Sequence, residues 1–133
     1  MKLVDFSNDR LDQSKAYEPF YPNGTPMEGV KIYLRSMKST KALKAIDEIS
    51  RRYNQQKNSI EREINRDIDY CCAVIDAIEG FTIEPEDNSL DFDLDGNKVI
   101  SNEKNIRLLM KNFIFLRHQI GSKVQDDSFF YEN

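Results

Sequence analysis

The chain has 133 residues, of which 39% are hydrophobic and 32% are charged, and its formal net charge is −4. This composition predicts one globular domain and disfavours intrinsic disorder, and no apolar stretch reaches the ~20 residues that a membrane span requires. The two cysteines, Cys71 and Cys72, are adjacent, which disfavours a disulfide framework and favours reduced thiols in a cytoplasmic protein.

The first 29 residues are predicted to form a flexible N-terminal segment, followed by a single mainly helical domain over residues 30–133. Five residues that interrupt regular backbone structure fall within eleven positions: Pro19, Pro22, Gly24, Pro26 and Gly29. Directly afterwards, the stretch from Val30 to Arg35 alternates apolar and polar residues. This period of two predicts a short, half-buried strand.

Two amphipathic helices are predicted between Gly29 and Gly80, because this stretch contains neither proline nor glycine. The first covers about residues 40–56, with Ser39 or Thr40 as its N-cap. A polar junction at 54–59 separates it from the second, unless the two continue as one long helix. The second helix ends at Gly80 and carries a single apolar stripe made of Ile60, Ile64, Ile68, Cys71, Ile75 and Ile78.

Short strands and a last helix are predicted after Gly80. Residues 81–83 and 90–94 alternate like strands, and Asp95-Gly96-Asn97 predicts a hairpin turn. Ser101 is the predicted N-cap of the last helix, whose inner face only Arg117 interrupts. The apolar residues of that face are Ile106, Leu109, Met110, Phe113, Leu116, Ile120 and Val124.

The predicted fold class is therefore mainly α. It has three amphipathic helices, or one long helix plus one C-terminal helix, together with a short N-terminal strand and a small β-hairpin. An α+β arrangement is the alternative.

An aromatic segment follows the last helix, and we define it as Phe129, Phe130 and Tyr131. Two interpretations of this C-terminal tail are open. The side chains fold back to close the core, or they form an exposed anchor for a partner, because bulky, rigid aromatic groups dominate interface energies. On the second interpretation, the predicted partner-binding residues are Phe129, Phe130, Tyr131, Phe113 and Ile120.

No combination of residues predicts catalysis, a metal site or a cofactor site. The segment Asp91-Phe92-Asp93-Leu94-Asp95-Gly96 resembles the opening of an EF-hand loop, but Asn102 stands where that loop requires an acid. His118 is the single histidine and lies off the apolar face, so we expect it at the surface. Cys71 lies on the apolar stripe and is expected to pack in the core. We therefore expect a protein that is not an enzyme.

Charge is unevenly distributed along the chain. Residues 31–66 carry ten basic and four acidic side chains, whereas residues 67–103 carry one basic and eleven acidic ones. Either these segments satisfy each other, within the fold or across an oligomer, or they attract a charged partner. Nucleic-acid binding is disfavoured because acids are interleaved among the basic residues Lys38, Lys41, Lys44, Arg51, Arg52, Arg62 and Arg66.

The order of several short segments is informative. It runs from a strand at 29–34, through a helix-to-glycine junction at 72–81 and the Asp95-Gly96 turn, to the last helix with its segments 101–109 and 115–120 and the ending Asp126-Asp127-Ser128-Phe129-Phe130. In this order the segments resemble the phage tail assembly chaperone family of long-tailed phages and prophages. The likeness covers roughly residues 27–131. It departs from the family at the junction, where a common tryptophan is missing and Phe81 stands nearby.

The resemblance implies a non-catalytic protein of the bacterial host cytoplasm that binds the tape-measure protein and supports assembly of the tail tube. An open amphipathic stripe suits that role, because it can receive the apolar face of a partner helix. Two alternatives stay open. One is a self-assembling tail or head-completion protein that forms a homo-oligomer, and the other is a small nucleic-acid-binding regulator.

Overall fold

The computed structural model describes residues 2–132, so Met1 and Asn133, at the outer ends of the two predicted segments, lie outside the described residues. The helices and strands follow in the order α1 (Asp9–Asp12), β1 (Lys15–Tyr17), β2 (Lys31–Leu34), α2 (Thr40–Asn54), α3 (Ile60–Ala73), β3 (Ile75–Glu79), β4 (Leu94–Asp95), β5 (Lys98–Val99), α4 (Glu103–Asn112), α5 (Ile114–Lys123) and α6 (Asp127–Tyr131). Short 3-10 helices lie at Leu3–Phe6 and Pro85–Asp87. The predicted class, mainly α with small antiparallel β elements, is confirmed.

Strand β2 is the centre of a three-stranded antiparallel sheet in the order β1-β2-β3. Its alternation buries Ile32 and Leu34 completely, as the period-two pattern predicts for a half-buried strand. Ile32 lies opposite Tyr17 of β1 and Ile78 of β3, and both of these side chains are buried as well. Apolar cross-strand neighbours therefore join all three strands on the face that contributes to the core.

The second helix ends earlier than predicted. Helix α3 stops at Ala73, and residues 75–79 form β3 instead of a last helical turn. In the pairing with β2, Tyr33 lies opposite Ala77 and Leu34 lies opposite Ile75, so Asp76 is an extra, bulged residue. This bulge is the reason the prediction was wrong, because it lets Ile75 and Ile78, three positions apart, both be buried in a strand.

Helices α2 and α3 form an antiparallel pair, as the polar junction between them suggests. The Ser39 hydroxyl accepts a hydrogen bond from the Ala42 N–H at 3.2 Å, so Ser39 is the N-cap of α2. Ser59 caps α3 in the same way, accepting from the Arg62 N–H at 3.0 Å. The alternative of one long helix is therefore not adopted.

The chain between β3 and α4 is mostly irregular. The predicted hairpin across Asp95-Gly96 is present as β4 and β5, with Gly96 at a φ of 63°. The other predicted strands were wrong. Residues 81–83 provide one isolated bridge, from Thr82 to Lys98, and in 90–94 the strand begins at Leu94.

The predicted last helix is two helices, because the backbone is extended at Phe113 (φ −127°, ψ 83°). Asn102 and not Ser101 caps α4, since the Asn102 Oδ1 accepts from the Asn105 N–H at 2.8 Å. Arg117, the predicted interruption of the apolar face, is buried at the break. Its Nη1 donates to the carbonyl of Met110 at 2.9 Å and satisfies an acceptor that the end of α4 leaves free.

The N-terminal segment contributes to the same core as the rest of the chain. Leu11, Tyr17 and Met27 are buried with the side chains of β2. Residues 19–29, where prolines and glycines are frequent, contain an isolated bridge between Phe20 and Pro26 but no helix or strand. A flexible segment was expected up to residue 29, but α1 and β1 pack into the domain.

Candidate functional site

Three of the five predicted partner-binding residues lie in the core. Phe130 and Ile120 are 2% and 0% exposed, and Phe129 is 9% exposed. The rings of Phe129 and Phe130 meet edge to face, with centroids 4.9 Å apart, and the Phe129 ring also meets Tyr17 edge to face at 6.1 Å. Of the two interpretations of the aromatic segment, these side chains follow the first and close the core. The second interpretation, an exposed anchor, does not hold for Phe129 and Phe130.

Tyr131 and Phe113 are half-buried. The Tyr131 ring lies 5.8 Å from the ring of Phe6, and the Phe113 ring lies edge to face with Phe115 at 6.3 Å. The five predicted residues therefore do not form one exposed surface. Sequence spacing could not show this, because it depends on α6 turning back onto the sheet.

Basic side chains from the N-terminal segment hold α6 in place. The Lys15 Nζ donates to the carbonyls of Phe129 and, at 3.0 Å, Glu132. The Arg10 Nη2 donates to the carbonyls of Tyr131 at 3.3 Å and Glu132 at 3.2 Å. Cations at the carbonyl end of a helix satisfy free acceptors and favour its dipole, so the two chain ends stabilise each other.

The apolar stripe of α3 is closed at one end and open at the other. Ile68 and Cys71 are buried, whereas Ile60 is 81% exposed and Ile64 is 44% exposed. Ile60 and Ile64 are four residues apart on a helix, so they lie on one face. We call these two residues the open stripe, and charged Glu63 borders them.

A groove of about 900 Å³ lies on another part of the surface, between α2, the end of α3 with β3, and the start of α4. Its apolar lining includes Ile49, Ile75 and Ile106, each of which is 7% exposed. None of the groove's lining residues belongs to the open stripe. We call this concave site the groove.

Asp69 is the polar centre of the groove. Its carboxylate is only 7% exposed, and its Oδ2 accepts from the Tyr53 hydroxyl at 2.5 Å and from the Arg52 Nη2 at 2.9 Å. Its Oδ1 accepts from the Arg107 Nη2. One buried carboxylate thereby joins α2, α3 and α4, with one guanidinium group bound to each of its oxygens.

The protonation states of this cluster follow from its contacts. Burial raises the pKa of Asp69, but hydrogen bonds from Tyr53 and Arg107 and the charges of both arginines outweigh burial, so the pKa lies below its ordinary value. Burial, together with the hydrogen bond to Asp69, raises the pKa of Tyr53. Asp69 is therefore ionised and the Tyr53 phenol is neutral at pH 7.

The sequence analysis missed Asp69 as a site residue. A carboxylate on a charged helix resembles any surface acid, and Arg107 lies 38 positions further along the chain. The one available indication is its position beside the stripe, directly after Ile68. That position turns Asp69 toward α2 and α4 and away from solvent.

The other chemical candidates from the sequence are a buried thiol, an exposed histidine and an aspartate that pairs with neighbouring side chains. Burial raises the pKa of Cys71 to about 12, so its thiol is protonated and unreactive at neutral pH. His118 is exposed, as predicted. The Asp93 carboxylate of the segment that resembles an EF-hand accepts from Asn102 at 3.1 Å and from Lys104 at 2.9 Å. Within residues 2–132, no group of three or more His, Cys, Asp or Glu side chains is arranged to hold a metal ion.

Basic residues of the 31–66 segment are mostly used in ion pairs. Six of the seven that were weighed for nucleic-acid binding pair with carboxylates: Lys38, Lys41, Arg51, Arg52, Arg62 and Arg66. Three of their partners lie outside the segment, at Asp69, Asp76 and Asp127. The fold therefore neutralises part of the basic segment internally.

No protein-family model, curated protein or solved structure matches the chain. In the described part of the chain, no helix is both long enough and apolar enough to cross a membrane. The open stripe and the groove are two surface features of the described chain that a ligand or partner can contact.

Proposed function

We propose that the protein is a phage or prophage tail assembly chaperone that acts in the bacterial cytoplasm. It binds the tape-measure protein without catalysis and supports assembly of the tail tube. The observation that carries the proposal is the open stripe, because Ile60 and Ile64 leave an apolar helix face uncovered in the described chain. The order of segments that resembles the chaperone family supplies the identity of the partner.

The size of the open stripe fits a partner that is held and then released. Full burial of one isoleucine contributes about 1.5–3 kcal/mol, so covering Ile60 and Ile64 contributes about 2–4 kcal/mol before the costs of association. Taken alone, that is a dissociation constant no tighter than about 1 mM. A long helical partner with several apolar segments offers many such contacts, which makes the combined binding stronger while each contact stays reversible.

The geometry of α3 suits an incoming helix. The apolar face continues from the open stripe into the buried residues Ile68 and Cys71, so a partner helix laid along it extends the existing core. The charged residues beside the stripe, Glu63 and Arg66, pair with each other and form a polar border. Helix-in-groove recognition uses such an apolar strip with polar margins.

Co-expression with the long helical tail protein tests the proposal. Wild type is expected to co-purify with that partner and to raise its soluble yield. The double variant Ile60→Ser, Ile64→Ser is expected to lose both effects while keeping its own thermal stability, because both side chains are exposed. Leu43→Ser is the matched control, since Leu43 is 55% exposed on α2, away from the stripe. Equal co-purification by the double variant would overturn the proposal.

Self-assembly through the same stripe is the competing function. In that case light scattering across a dilution series would show a mass above that of one chain even at low concentration. The Ile60→Ser, Ile64→Ser variant would then be monomeric while the wild type is not. That result would replace the chaperone proposal by a permanent homo-oligomer.

A further inference from the structure

We infer that the groove is a binding site for an amphiphilic carboxylate, whose anionic group is held by the paired guanidinium groups of Arg52 and Arg107. This inference goes beyond the proposed function, because the groove shares no lining residue with the open stripe. Its basis is the arrangement of two arginines around one buried acid at the edge of an open cavity whose lining is about half polar and half apolar.

Asp69 holds both arginines in place, but not all of their N–H donors have a hydrogen-bond partner among the described residues. Asp69 uses one Nη of each guanidinium, and the second Nη of Arg107 contacts the Cys72 sulfur at 3.8 Å. A guanidinium carries five N–H donors, so each arginine keeps several donors without a protein partner among the described residues. Both side chains are about half exposed, at 54% and 51%, and both line the groove. The two side chains are therefore accessible to a ligand in the groove.

The charges favour a carboxylate over a phosphate. Two arginines and one aspartate leave this cluster with a net charge of +1. The other charged residues that line the groove are Glu103, four residues before Arg107, and Lys41 and Asp76, which lie 3.6 Å apart. Asp76 also pairs with Arg35 at 2.7 Å, so these groups together with the cluster keep a net charge of +1. A monoanion completes the pairing, whereas a dianion meets repulsion from Asp69 and Glu103.

The apolar residues of the groove determine which kind of chemical body the ligand carries beside its anionic group. Ile49, Ile75 and Ile106 are nearly buried but still line the groove, so a short hydrocarbon or aromatic body is desolvated beside the anionic group. Acidic side chains of a polypeptide and free small acids both offer this combination. The shared chemistry is a carboxylate with an apolar body.

A pair of matched probes tests the site. 4-Phenylbutyrate carries the carboxylate and the apolar body, and 4-phenylbutyramide has the same shape without charge. Titrations are followed by NMR of the arginine Nε–H groups and the isoleucine methyls. Saturable shifts are expected at Arg52, Arg107, Ile75 and Ile106, with the amide at least about tenfold weaker because charge-assisted hydrogen bonds are lost. Equal binding of acid and amide, or no saturable shift, would overturn the inference.

Variants assign the binding to the two arginines. Arg107→Gln is expected to weaken phenylbutyrate binding about tenfold. Arg52→Lys is expected to weaken it too, because it keeps a charge near Asp69 but loses the planar fork. Arg51→Gln is the control: Arg51 is 78% exposed, pairs with Asp47 and does not line the groove. Unchanged binding by both groove variants, with native melting curves, would contradict the assignment.

Two further measurements define the ligand. Glu103→Gln is expected to strengthen binding, because it removes a negative charge that lines the groove four residues before Arg107. An amidated peptide with a single glutamate between leucines is compared with phenylbutyrate, and tighter peptide binding assigns the site to a polypeptide side chain. Tighter phenylbutyrate binding assigns it to a free small acid. Displacement of phenylbutyrate by lower concentrations of inorganic phosphate would overturn the preference for a monoanion.

Discussion

Two buried polar side chains, Asp69 and Asn105, join segments that are distant in the sequence. Asn105 is completely buried, and its Oδ1 accepts from the Asp93 N–H at 2.9 Å. Its Nδ2 donates to the carbonyls of Asp93 at 2.9 Å and Ile100 at 2.7 Å. The amide therefore supplies the partner of the Asp93 N–H and adds a second hydrogen bond to two carbonyls that also accept from the backbone N–H groups of Ile100 and Asn102.

The first prediction concerns Asn105. Asn105→Ala leaves the Asp93 N–H without its partner and removes one of the two hydrogen bonds to each of the carbonyls of Asp93 and Ile100, so we expect a loss of about 1–3 kcal/mol in the free energy of unfolding. Urea unfolding followed by circular dichroism measures it. The control is Asn112→Ala, because Asn112 is exposed and its loss is expected to stay within about 0.5 kcal/mol. Similar losses in both variants would show that the buried network contributes little.

The second prediction concerns Asp69 and pH. Because the folded pKa of Asp69 lies below its ordinary value, the stabilisation from its ionised form is complete above the unfolded pKa of about 3.9 and is lost as pH falls through the folded value. Asp69→Asn is expected to cost about 1–3 kcal/mol at pH 7, less than a fully buried pair because both arginines are half exposed.

The difference between wild type and Asp69→Asn is therefore expected to shrink as the pH falls from 5 to 2, since wild type alone loses this contribution. Asp47→Asn removes an exposed acid that pairs with Arg51 and provides the control, with little effect at any pH. A difference that stays constant down to pH 2 would contradict the account of Asp69.

At the scale of elements, the helices with clear polar caps were predictable, and the junctions between elements were not. Helix α2 follows from Ser39 and its apolar spacing, because both are local properties. The change from α3 to β3 is not local, since Ile75 and Ile78 fit either element. Pairing with β2 and the bulge at Asp76 decide it. The break at Phe113 has the same origin, because a buried Arg117 stabilises it from the next helix.

Gly80 marks the end of β3 and carries the third prediction. Its φ is 86°, and a Cβ there would lie 2.0 Å from the carbonyl oxygen of Gly29. Gly80→Ala combines a left-handed conformation, which costs about 1–2 kcal/mol, with displacement of the Gly29 backbone, so we expect about 3 kcal/mol or more. Gly96→Ala has a φ of 63° but open space around it, and only the first cost is expected. Equal urea midpoints for the two variants would contradict this reading of the β3 end.

The aromatic segment carries the fourth prediction. Phe130→Ala is expected to lower the free energy of unfolding by about 3–5 kcal/mol, because the side chain is 2% exposed and leaves a cavity. Leu3→Ala, at a position that is 78% exposed, is expected to change it by less than about 0.5 kcal/mol. Thermal unfolding of both variants measures the contrast. A small loss in the free energy of unfolding for Phe130→Ala would contradict this prediction and favour the interpretation of the aromatic segment as an exposed anchor.

For the whole molecule, the uneven charge of the sequence is only partly balanced within the fold. Five acids of the 67–103 segment form ion pairs: Asp67, Asp69, Asp76, Asp91 and Asp93. Others, including Glu84, Glu86 and Asp87, are exposed near the hairpin. The basic and acidic segments therefore satisfy each other only in part within the fold.

The two candidate sites differ in how far they could be predicted from the sequence. The stripe on α3 could be found from spacing alone, but which end is covered depends on how α5 and β3 pack. The groove could not be found, since Arg52, Asp69 and Arg107 come from three helices. The aromatic residues of the C-terminal tail were a poor guide to the partner-binding surface, because α6 folds back onto Lys15 and Arg10.

The fifth prediction tests the central claim, that the open stripe holds an apolar helix of the tail partner. The measurement is NMR of isoleucine δ1-methyl groups during titration with a helical fragment of the tape-measure protein. The methyls of Ile60 and Ile64 are expected to shift together and saturably, whereas those of Ile100 and Ile114, also exposed, stay in place. Binding that leaves Ile60 and Ile64 unshifted, or no binding at all, would contradict the claim.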